Sequence, residues 1–139
     1  MKLNDYFYLQ ELLPERIYAL PDSRRFIDQR IIDFLLAIRK LSGKPVTVNN
    51  WHQGGPYQYR GYRDPECDQG AKYSMHRIGL AVDFTIAGEH STDVTDIVLA
   101  NAALWPQLTR IENHLFTPTW THVDFKPATK PGITIFDPV

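Results

Sequence analysis

The segment of the chain with the most chemical potential lies near its middle, at residues 74–83, and reads SMHRIGLAVD. It carries an imidazole and a carboxylate seven residues apart, His76 and Asp83. Side chains alternate along a strand, so this odd spacing would put the two on opposite faces of an unbroken strand. They can converge only if the backbone turns between them, and Gly79 tolerates such a turn or a close backbone approach. An unpaired carboxylate in an apolar strand is costly to bury, and a cation beside Asp83 would remove that cost.

A second polar segment, WTHVDF at residues 120–125, alternates like a strand and places His122 and Asp124 on one face. Two imidazoles and a carboxylate are a common ligand set for catalytic zinc, in which water takes the fourth position. His76, Asp83 and His122 are therefore candidate metal ligands. Asp124 is a candidate for orienting an imidazole from behind. The alternative for each histidine, taken singly, is a structural role in which a hydrogen bond satisfies the ring.

Length and composition exclude several classes of protein. The chain has 139 residues, which fits one domain over residues 1–139, and its 43% apolar and 22% charged residues are typical of a globular protein. The net charge of −1 gives no reason to expect a nucleic-acid partner, and the single cysteine cannot form an internal disulfide. No run approaches the ~20 apolar residues of a membrane span. The N-terminus lacks the apolar run of a signal peptide, so we expect synthesis in the cytoplasm, and we expect a monomer.

Hydrophobic periodicity predicts the elements that must position these residues. Apolar residues recur at helical spacing over 23–41 and 91–104, and a short helix is expected over 6–13. Strands are expected over residues 44–49, 79–86, 108–112 and 119–125. Helices followed by strands with one inserted helix predict a single α+β domain with a small antiparallel sheet flanked by helices.

Residues 51–73 show no sustained period and contain four glycines, two prolines and four tyrosines. A long irregular stretch is uncommon in so small a domain, and where it occurs it is often a binding or active-site segment. Its tyrosines can line a groove, although exposed tyrosines in a long loop need no ligand to explain them.

The pattern S-x-H-x-x-G-x-A-x-D at residues 74–83, followed by W-x-H at residues 120–122, resembles the signature of the zinc D-alanyl-D-alanine peptidase family. That family includes D-Ala-D-Ala carboxypeptidases, the D,D-dipeptidases of vancomycin resistance and phage L-alanyl-D-glutamate endolysins, and hedgehog signalling domains share its fold. The similarity extends more loosely over residues 23–125. The compact WTHVD form is most similar to the short phage and prophage members.

The resemblance implies a hedgehog/DD-peptidase-like fold and one zinc ion per chain, held by His76, Asp83 and His122. It also implies hydrolysis of a peptide bond in peptidoglycan stem peptides or related D-amino-acid peptides. Carboxypeptidase and endopeptidase action both remain open. The protein would then act at the cell wall after release from the cytoplasm.

The general base departs from the pattern of the carboxypeptidase-type members, which place a glutamate three residues before the second histidine ligand. This chain has Thr119 there. Shorter phage-type members carry an upstream glutamate, which makes Glu112 the candidate base if residues 113–118 fold it back over the metal. The alternatives are that Glu112 is a surface carboxylate paired with Arg110, or that Asp124 substitutes as the base.

The resemblance further implies that Ser74 and an upstream arginine bind substrate. A planar, permanently charged guanidinium suits a substrate carboxylate or the scissile carbonyl. Arg63 is our first choice for this role and Arg60 our second.

Two other functions stay open. One is a non-catalytic phage structural or cell-wall-binding module that retains the fold, favoured by the missing glutamate at position 119. The other is a cytoplasmic D,D-dipeptidase.

Overall fold

Three helices and five strands succeed one another along residues 1–138, which are the residues that the computed structural model describes. The helices are α1 (Glu15–Tyr18), α2 (Gln29–Ser42) and α3 (Ser91–Ala100). The strands are β1 (Val46–Thr47), β2 (Ala81–Ile86), β3 (Arg110–Glu112), β4 (Thr121–Asp124) and β5 (Thr134–Phe136). Together they form a single small α+β domain, which confirms the predicted fold class. The predicted domain of residues 1–139 extends one residue beyond the described part.

The five strands form one sheet in the order β1-β2-β4-β3-β5. The pairs β1–β2, β2–β4 and β3–β4 are antiparallel, whereas β3 and β5 are parallel. The sheet is therefore mixed, and the prediction of an antiparallel sheet is wrong at β5. Strand β5 follows β4 along the chain but lies on the far side of β3, where it runs parallel to β3.

Helix α2 begins six residues later than the apolar pattern predicts. Ser23–Phe26 form a 3-10 turn, Ile27 is extended, and Asp28 caps the helix by accepting a hydrogen bond from the Arg30 N–H (2.9 Å). The Asp28 N–H donates to the Gly79 carbonyl, so a contact with a distant turn fixes the chain just before the helix. The apolar periodicity continues through this break because both parts pack on the same core.

Two other predicted helices are shorter in the structure. Within residues 6–13 only Leu9–Glu11 form a 3-10 turn, and Pro14 then begins a separate short helix, α1. Helix α3 ends at Ala100, and Ala102–Leu104 continue as a 3-10 turn. The Asn101 side chain donates to the Ile97 carbonyl at this end, which satisfies one of the last carbonyls of the helix.

The hydrophobic core lies between α2 and one face of the sheet. Phe34 of α2 packs edge-on against Phe84 of β2 and Trp105, with ring centroids 5.6 and 5.1 Å apart. Phe84 alternates with Asp83 along β2, so Asp83 points to the opposite face of the sheet. That second face is covered by the irregular segment after β1 and carries the polar residues. None of the helices within residues 1–138 has the combination of length and apolar character that crossing a membrane requires.

Candidate metal centre

His76, Asp83 and His122 come together on the sheet face opposite α2. All three are buried, at 1%, 6% and 7% exposure. His76 Nε2 lies 3.2 Å from both Asp83 Oδ1 and His122 Nδ1, and the last two atoms are 2.8 Å apart. The three donor atoms form a small triangle, and such a cluster can hold a metal ion.

The sheet register positions two of the three side chains. Asp83 and His122 are direct partners in the antiparallel pairing of β2 with β4, and the next pair on the same face is Ala81 with Asp124. Directly opposed residues share a face and have adjacent Cβ atoms. The methyl side chain of Ala81 leaves room for the larger Asp124 opposite it.

The third side chain, His76, reaches the site from a 3-10 turn, Met75–Ile78. The Ser74 hydroxyl caps this turn by accepting a hydrogen bond from the His76 N–H (3.2 Å). Gly79 ends it with φ 73°, and a Cβ there would lie 2.2 Å from the Phe26 carbonyl oxygen. Gly79 therefore has both features suggested by its position, the unusual turn and the close backbone approach. Ser74 lies at the turn that carries His76.

Hydrogen bonds on the outer side of each ring assign the tautomers of the two histidines. His76 Nδ1 donates to the Gly61 carbonyl at 2.7 Å, which leaves Nε2 free of a proton in the neutral ring. His122 Nε2 lies 2.9 Å from Asp124 Oδ2 and donates to it, which leaves Nδ1 as the inner atom. Two unprotonated ring nitrogens would then face each other and a carboxylate. This donor set fits a divalent cation such as zinc, and the outer hydrogen bonds are those that metal-bound histidines require.

The Asp124 carboxylate, which accepts the hydrogen bond of His122, is also bound by Arg110, its partner in the pairing of β3 with β4. The guanidinium makes a bidentate contact, with Nε 2.9 Å from Oδ1 and Nη2 2.7 Å from Oδ2. The Phe136 ring of β5 lies 3.7 Å from this guanidinium and 5.5 Å from the His122 ring. Complete burial of Asp124 would raise its pKa, but the hydrogen bonds from His122 and Arg110 lower that pKa to about 2. Asp124 is therefore a carboxylate at neutral pH.

The electrostatics of the three inner groups favour a positive charge between them. Burial would raise the pKa of Asp83, but the charge and hydrogen bonds of the two histidines hold it well below its usual range. Burial lowers the pKa of His76. Burial would also lower the pKa of His122, yet hydrogen bonds to Asp124 and Asp83 raise it to about 9. In the metal-free protein a proton on His122 Nδ1 thus makes the ring positively charged between the Asp83 and Asp124 carboxylates.

A cleft of about 230 Å³ adjoins Asp83. Its lining includes Tyr57, Arg60, Arg63, Gln69, Asp83 and Trp120. Arg63 donates from Nη2 to Asp83 Oδ2 (3.1 Å) and from Nε to the Tyr59 carbonyl (2.8 Å). Arg60 instead stacks on the Tyr57 ring at 3.7 Å and, among residues 1–138, forms no ion pair. Both predicted arginines therefore line the cleft beside the candidate metal centre, and Arg63 is already bonded to one of the candidate ligands.

Glu112 lies at the end of β3, half-buried, and shares a sheet face with Arg110 two residues earlier. Continuing the register of β3 with β4 by one pair places Glu112 beside His122. Burial raises the pKa of Glu112, as do the negative charges of Asp83 and Asp124, while His122 and Arg110 oppose them.

The alternatives to Glu112 do not match this geometry. Arg110 makes its ion pair with Asp124 rather than with Glu112. Thr119, at the position of the expected glutamate, is exposed and lines a different cleft beside α3. Asp124 is fully buried behind His122 and already accepts hydrogen bonds from His122 and Arg110. Of the acidic residues considered for the base, Glu112 combines partial exposure with a place on the metal-binding face.

Two residues at this site, Gly61 and Phe136, were not predicted from the sequence. A Cβ at Gly61 would lie 2.2 Å from the Leu12 carbonyl oxygen, so only glycine lets the chain pass there and present its carbonyl to His76. A glycine between Arg60 and Tyr62 in an irregular stretch is a signal that can suggest such a close approach. Phe136 gives no comparable signal, because its role depends on β5 pairing beside β3.

Comparisons with protein-family models, with curated proteins and with solved structures gave no match to this chain. The functional interpretation therefore depends on the donor set, its tautomers and the adjoining cleft. These features are specific: two imidazoles and a carboxylate are buried together, and each imidazole is fixed from behind by a hydrogen-bond acceptor.

Proposed function

We propose that the protein is a zinc-dependent peptidase that hydrolyses a peptide bond in peptidoglycan stem peptides or related D-amino-acid peptides. We also propose that it belongs to the zinc D-alanyl-D-alanine peptidase family and has a hedgehog/DD-peptidase-like fold. The observation that carries the proposal is the buried triangle of His76 Nε2, Asp83 Oδ1 and His122 Nδ1 beside a cleft that contains two arginines.

Three protein ligands are the number found in catalytic zinc sites, whereas structural zinc sites use four. Within residues 1–138 the candidate metal-binding cluster consists of these three side chains and contains no fourth ligand. A zinc ion bound in this way would supply activation of a water molecule and polarisation of a substrate carbonyl. His76, Asp83 and His122 would hold it, with Gly61 and Asp124 fixing the two rings.

Glu112 is the proposed general base and acid. Its carboxylate would accept a proton from the attacking water and pass it to the nitrogen of the leaving amine. Burial raises the pKa of Glu112 above its ordinary value, the direction that suits a carboxyl group that must both accept and donate a proton. Its expected register position beside His122 keeps it on the face of the sheet where the water would be activated.

The two arginines suit a substrate that carries a carboxylate, as the stem peptides of peptidoglycan do. Arg63 is bonded to Asp83 and the Tyr59 carbonyl, so it contributes mainly positive charge and a fixed wall. The Arg60 guanidinium lies over the Tyr57 ring, 3.7 Å from its centroid, and its side chain forms no ion pair within residues 1–138, which leaves its N–H groups available to a ligand in the cleft. Arg60 is therefore the better placed of the two to bind a substrate carboxylate directly.

Metal content and turnover of purified muropeptides test the proposal, in the wild type, in Glu112→Gln and in a control, Glu15→Gln, whose residue is exposed on α1. We expect stoichiometric zinc in all three proteins. We expect kcat to fall about 10²-fold or more in Glu112→Gln alone, since general bases contribute at least that much. Free D-Ala-D-Ala and intact cell walls, compared as substrates, distinguish a dipeptidase from a wall-degrading enzyme.

Three results would change this assignment. Absence of a stoichiometric divalent metal would overturn the peptidase function. Full activity with zinc retained in Glu112→Gln would remove Glu112 from the mechanism. A wild-type protein that binds zinc and cell walls but cleaves nothing would support the non-catalytic wall-binding module instead.

A further inference from the structure

Arg77, which directly follows His76, is surrounded by backbone carbonyls. Its guanidinium donates from all three nitrogens, to Ala71 (3.1 Å), Asp64 (3.1 Å), Cys67 (3.0 Å) and Gln69 (3.2 Å). All four acceptors lie within residues 64–71, which we call the cleft loop. Among residues 1–138 Arg77 forms no ion pair, so its charge is satisfied by carbonyl dipoles alone. A rigid, five-donor guanidinium is suited to act as the fixed cation around which such a loop folds.

The cleft loop has little other support. It contains no helix or strand, and its remaining bonds are local, such as Cys67 N–H to the Asp64 carbonyl (3.0 Å) and Gln69 N–H to Cys67 Sγ (3.4 Å). Arg16 pairs with the Asp64 carboxylate and lies 3.6 Å from the exposed Glu66 carboxylate, so it holds the first three residues of the loop. The course of residues 67–71 therefore depends mainly on Arg77, which binds the carbonyls of Cys67, Gln69 and Ala71.

The cleft loop also borders the substrate side of the candidate metal centre. Gln69 lines the cleft that adjoins Asp83. Gly70 lies so close to Arg63 that a Cβ there would be 2.4 Å from Arg63 Nη1. Since Arg63 is bonded to Asp83, the position of the loop determines how much of that guanidinium is covered and how wide the cleft is.

We infer that Arg77 is a positioning residue that holds the cleft loop as one wall of the substrate cleft and so sets which peptides fit beside the metal. The assignment of this cleft to substrate rests on the proposed function. The dependence of the loop on Arg77 does not, because it follows from hydrogen bonds that exist whatever the protein binds. Arg77 thus links two parts of the site, since the turn that carries His76 also holds the loop.

Limited proteolysis tests the loop without any assay of activity. Lys72 follows the loop directly, and a lysine-specific endoproteinase reports how often the chain opens there. The variant is Arg77→Gln. The matched control is Arg25→Gln, because Arg25 also donates to backbone carbonyls, those of Pro21 and Asp22, in a turn that does not line the cleft.

We expect Arg77→Gln to be cut after Lys72 about tenfold faster than the wild type, with its circular dichroism and zinc content unchanged, and Arg25→Gln to behave as the wild type. On muropeptides we expect Arg77→Gln to raise KM about tenfold with little change in kcat, the result of a misplaced binding wall. Arg77→Lys keeps the positive charge but has fewer hydrogen-bond donors. Its cleavage rate and its KM should therefore fall between those of the wild type and Arg77→Gln.

Cleavage of Arg77→Gln at the wild-type rate would overturn the inference. If that variant loses the fold, Arg77→Lys decides: a folded protein cut faster after Lys72 supports the inference, and a wild-type rate overturns it. A wild-type protein without peptidase activity would instead overturn the proposed function, while the proteolysis result still judges the role of Arg77.

Discussion

Asp83 and His122 face each other across β2 and β4, with Oδ1 2.8 Å from Nδ1, and each is held from its other side by a charged residue. Asp83 Oδ2 accepts from Arg63, and His122 Nε2 donates to Asp124, which in turn is bound by Arg110. A row of groups with alternating charge therefore runs through this pair, with Asp83, His122 and Asp124 buried and a partly exposed arginine at each end. Removing one member leaves its neighbours uncompensated, which makes the row sensitive to single substitutions.

Asp124→Asn tests the contribution of the carboxylate behind His122. The amide keeps the shape and can still accept a hydrogen bond, but it removes the negative charge that Arg110 and His122 share. We expect zinc affinity to fall about 10–100-fold, the usual effect of losing an outer partner of a metal-bound histidine. Competition with a chromophoric chelator measures this, with Asp96→Asn on the exposed side of α3 as the control. Equal affinity in the two variants would contradict the role of Asp124.

Phe136→Ala tests whether β5 shields the metal centre. The ring packs on Arg110 and on the edge of His122, so its removal admits water to the Arg110–Asp124 pair. Screening by that water weakens the hydrogen bond that orients His122, and we expect zinc affinity to fall by about tenfold. Ile135→Ala is the matched control, since Ile135 is 53% exposed and alternates with Phe136 along β5. A loss of affinity in both variants would instead indicate that β5 has detached.

The candidate ligands could be predicted from the sequence because residue type, strand alternation and the spacing of the resembled signature all indicate them, although Asp83 and His122 meet only through the pairing of β2 with β4. His122 and Asp124 share a strand face by alternation, and Gly79 indicates the turn that lets His76 approach Asp83. Glu112 likewise needs only strand alternation and a hairpin to reach this face. Residue type and spacing therefore predicted most of the residues of the candidate metal centre.

The rest depends on contacts between segments that are distant in the sequence. Gly61 is a tautomer-fixing acceptor only because Leu12 packs against it, and Phe136 covers His122 only because β5 joins the sheet beside β3. The start of α2 was predicted too early for the same reason, since the contact of Asp28 with Gly79 stops the helix from extending backwards. No local pattern specifies these pairings.

Zinc binding should release a proton at neutral pH. Hydrogen bonds to Asp124 and Asp83 outweigh burial and raise the pKa of His122 to about 9, above its ordinary value of 6.5, so at about pH 7.5 Nδ1 carries a proton that a metal must displace. Apparent zinc affinity should therefore rise about tenfold per pH unit between roughly pH 6.5 and 8. Calorimetry in buffers of different ionisation enthalpy should count about one proton released. No net release would mean that His122 is neutral in the metal-free protein.

The same raised pKa predicts how the stability of the metal-free protein varies with pH. A group whose pKa is higher in the folded state stabilises that state fully below its unfolded pKa, near 6.5, and loses this contribution as the pH rises through about 9. Urea unfolding of the chelator-treated protein should thus give a lower free energy of unfolding at about pH 9.5 than at about pH 6.5. His122→Gln removes the titrating group and should remove most of this difference.

Gly79→Ala tests whether the turn after His76 requires glycine for its φ angle alone or also for the space. Gly43 provides the control, because it has a similar φ of 66° but no atom within 4 Å of the place where a Cβ would lie, whereas a Cβ at Gly79 would lie 2.2 Å from the Phe26 carbonyl oxygen. Gly43→Ala should lower the free energy of unfolding by about 1 kcal/mol, the strain of the left-handed region. Gly79→Ala should lower it by roughly 2–4 kcal/mol, since the Phe26 backbone must also move.

Zinc affinity separates these two glycines further. Displacement of the turn Met75–Ile78 moves His76 away from Asp83, so Gly79→Ala should bind zinc more weakly while Gly43→Ala binds it as the wild type does. Urea unfolding and chelator competition on the same samples give both quantities. Equal destabilisation and equal affinity in the two variants would show that the contact with Phe26 is not what fixes His76, and that the backbone angle of Gly79 is its whole contribution.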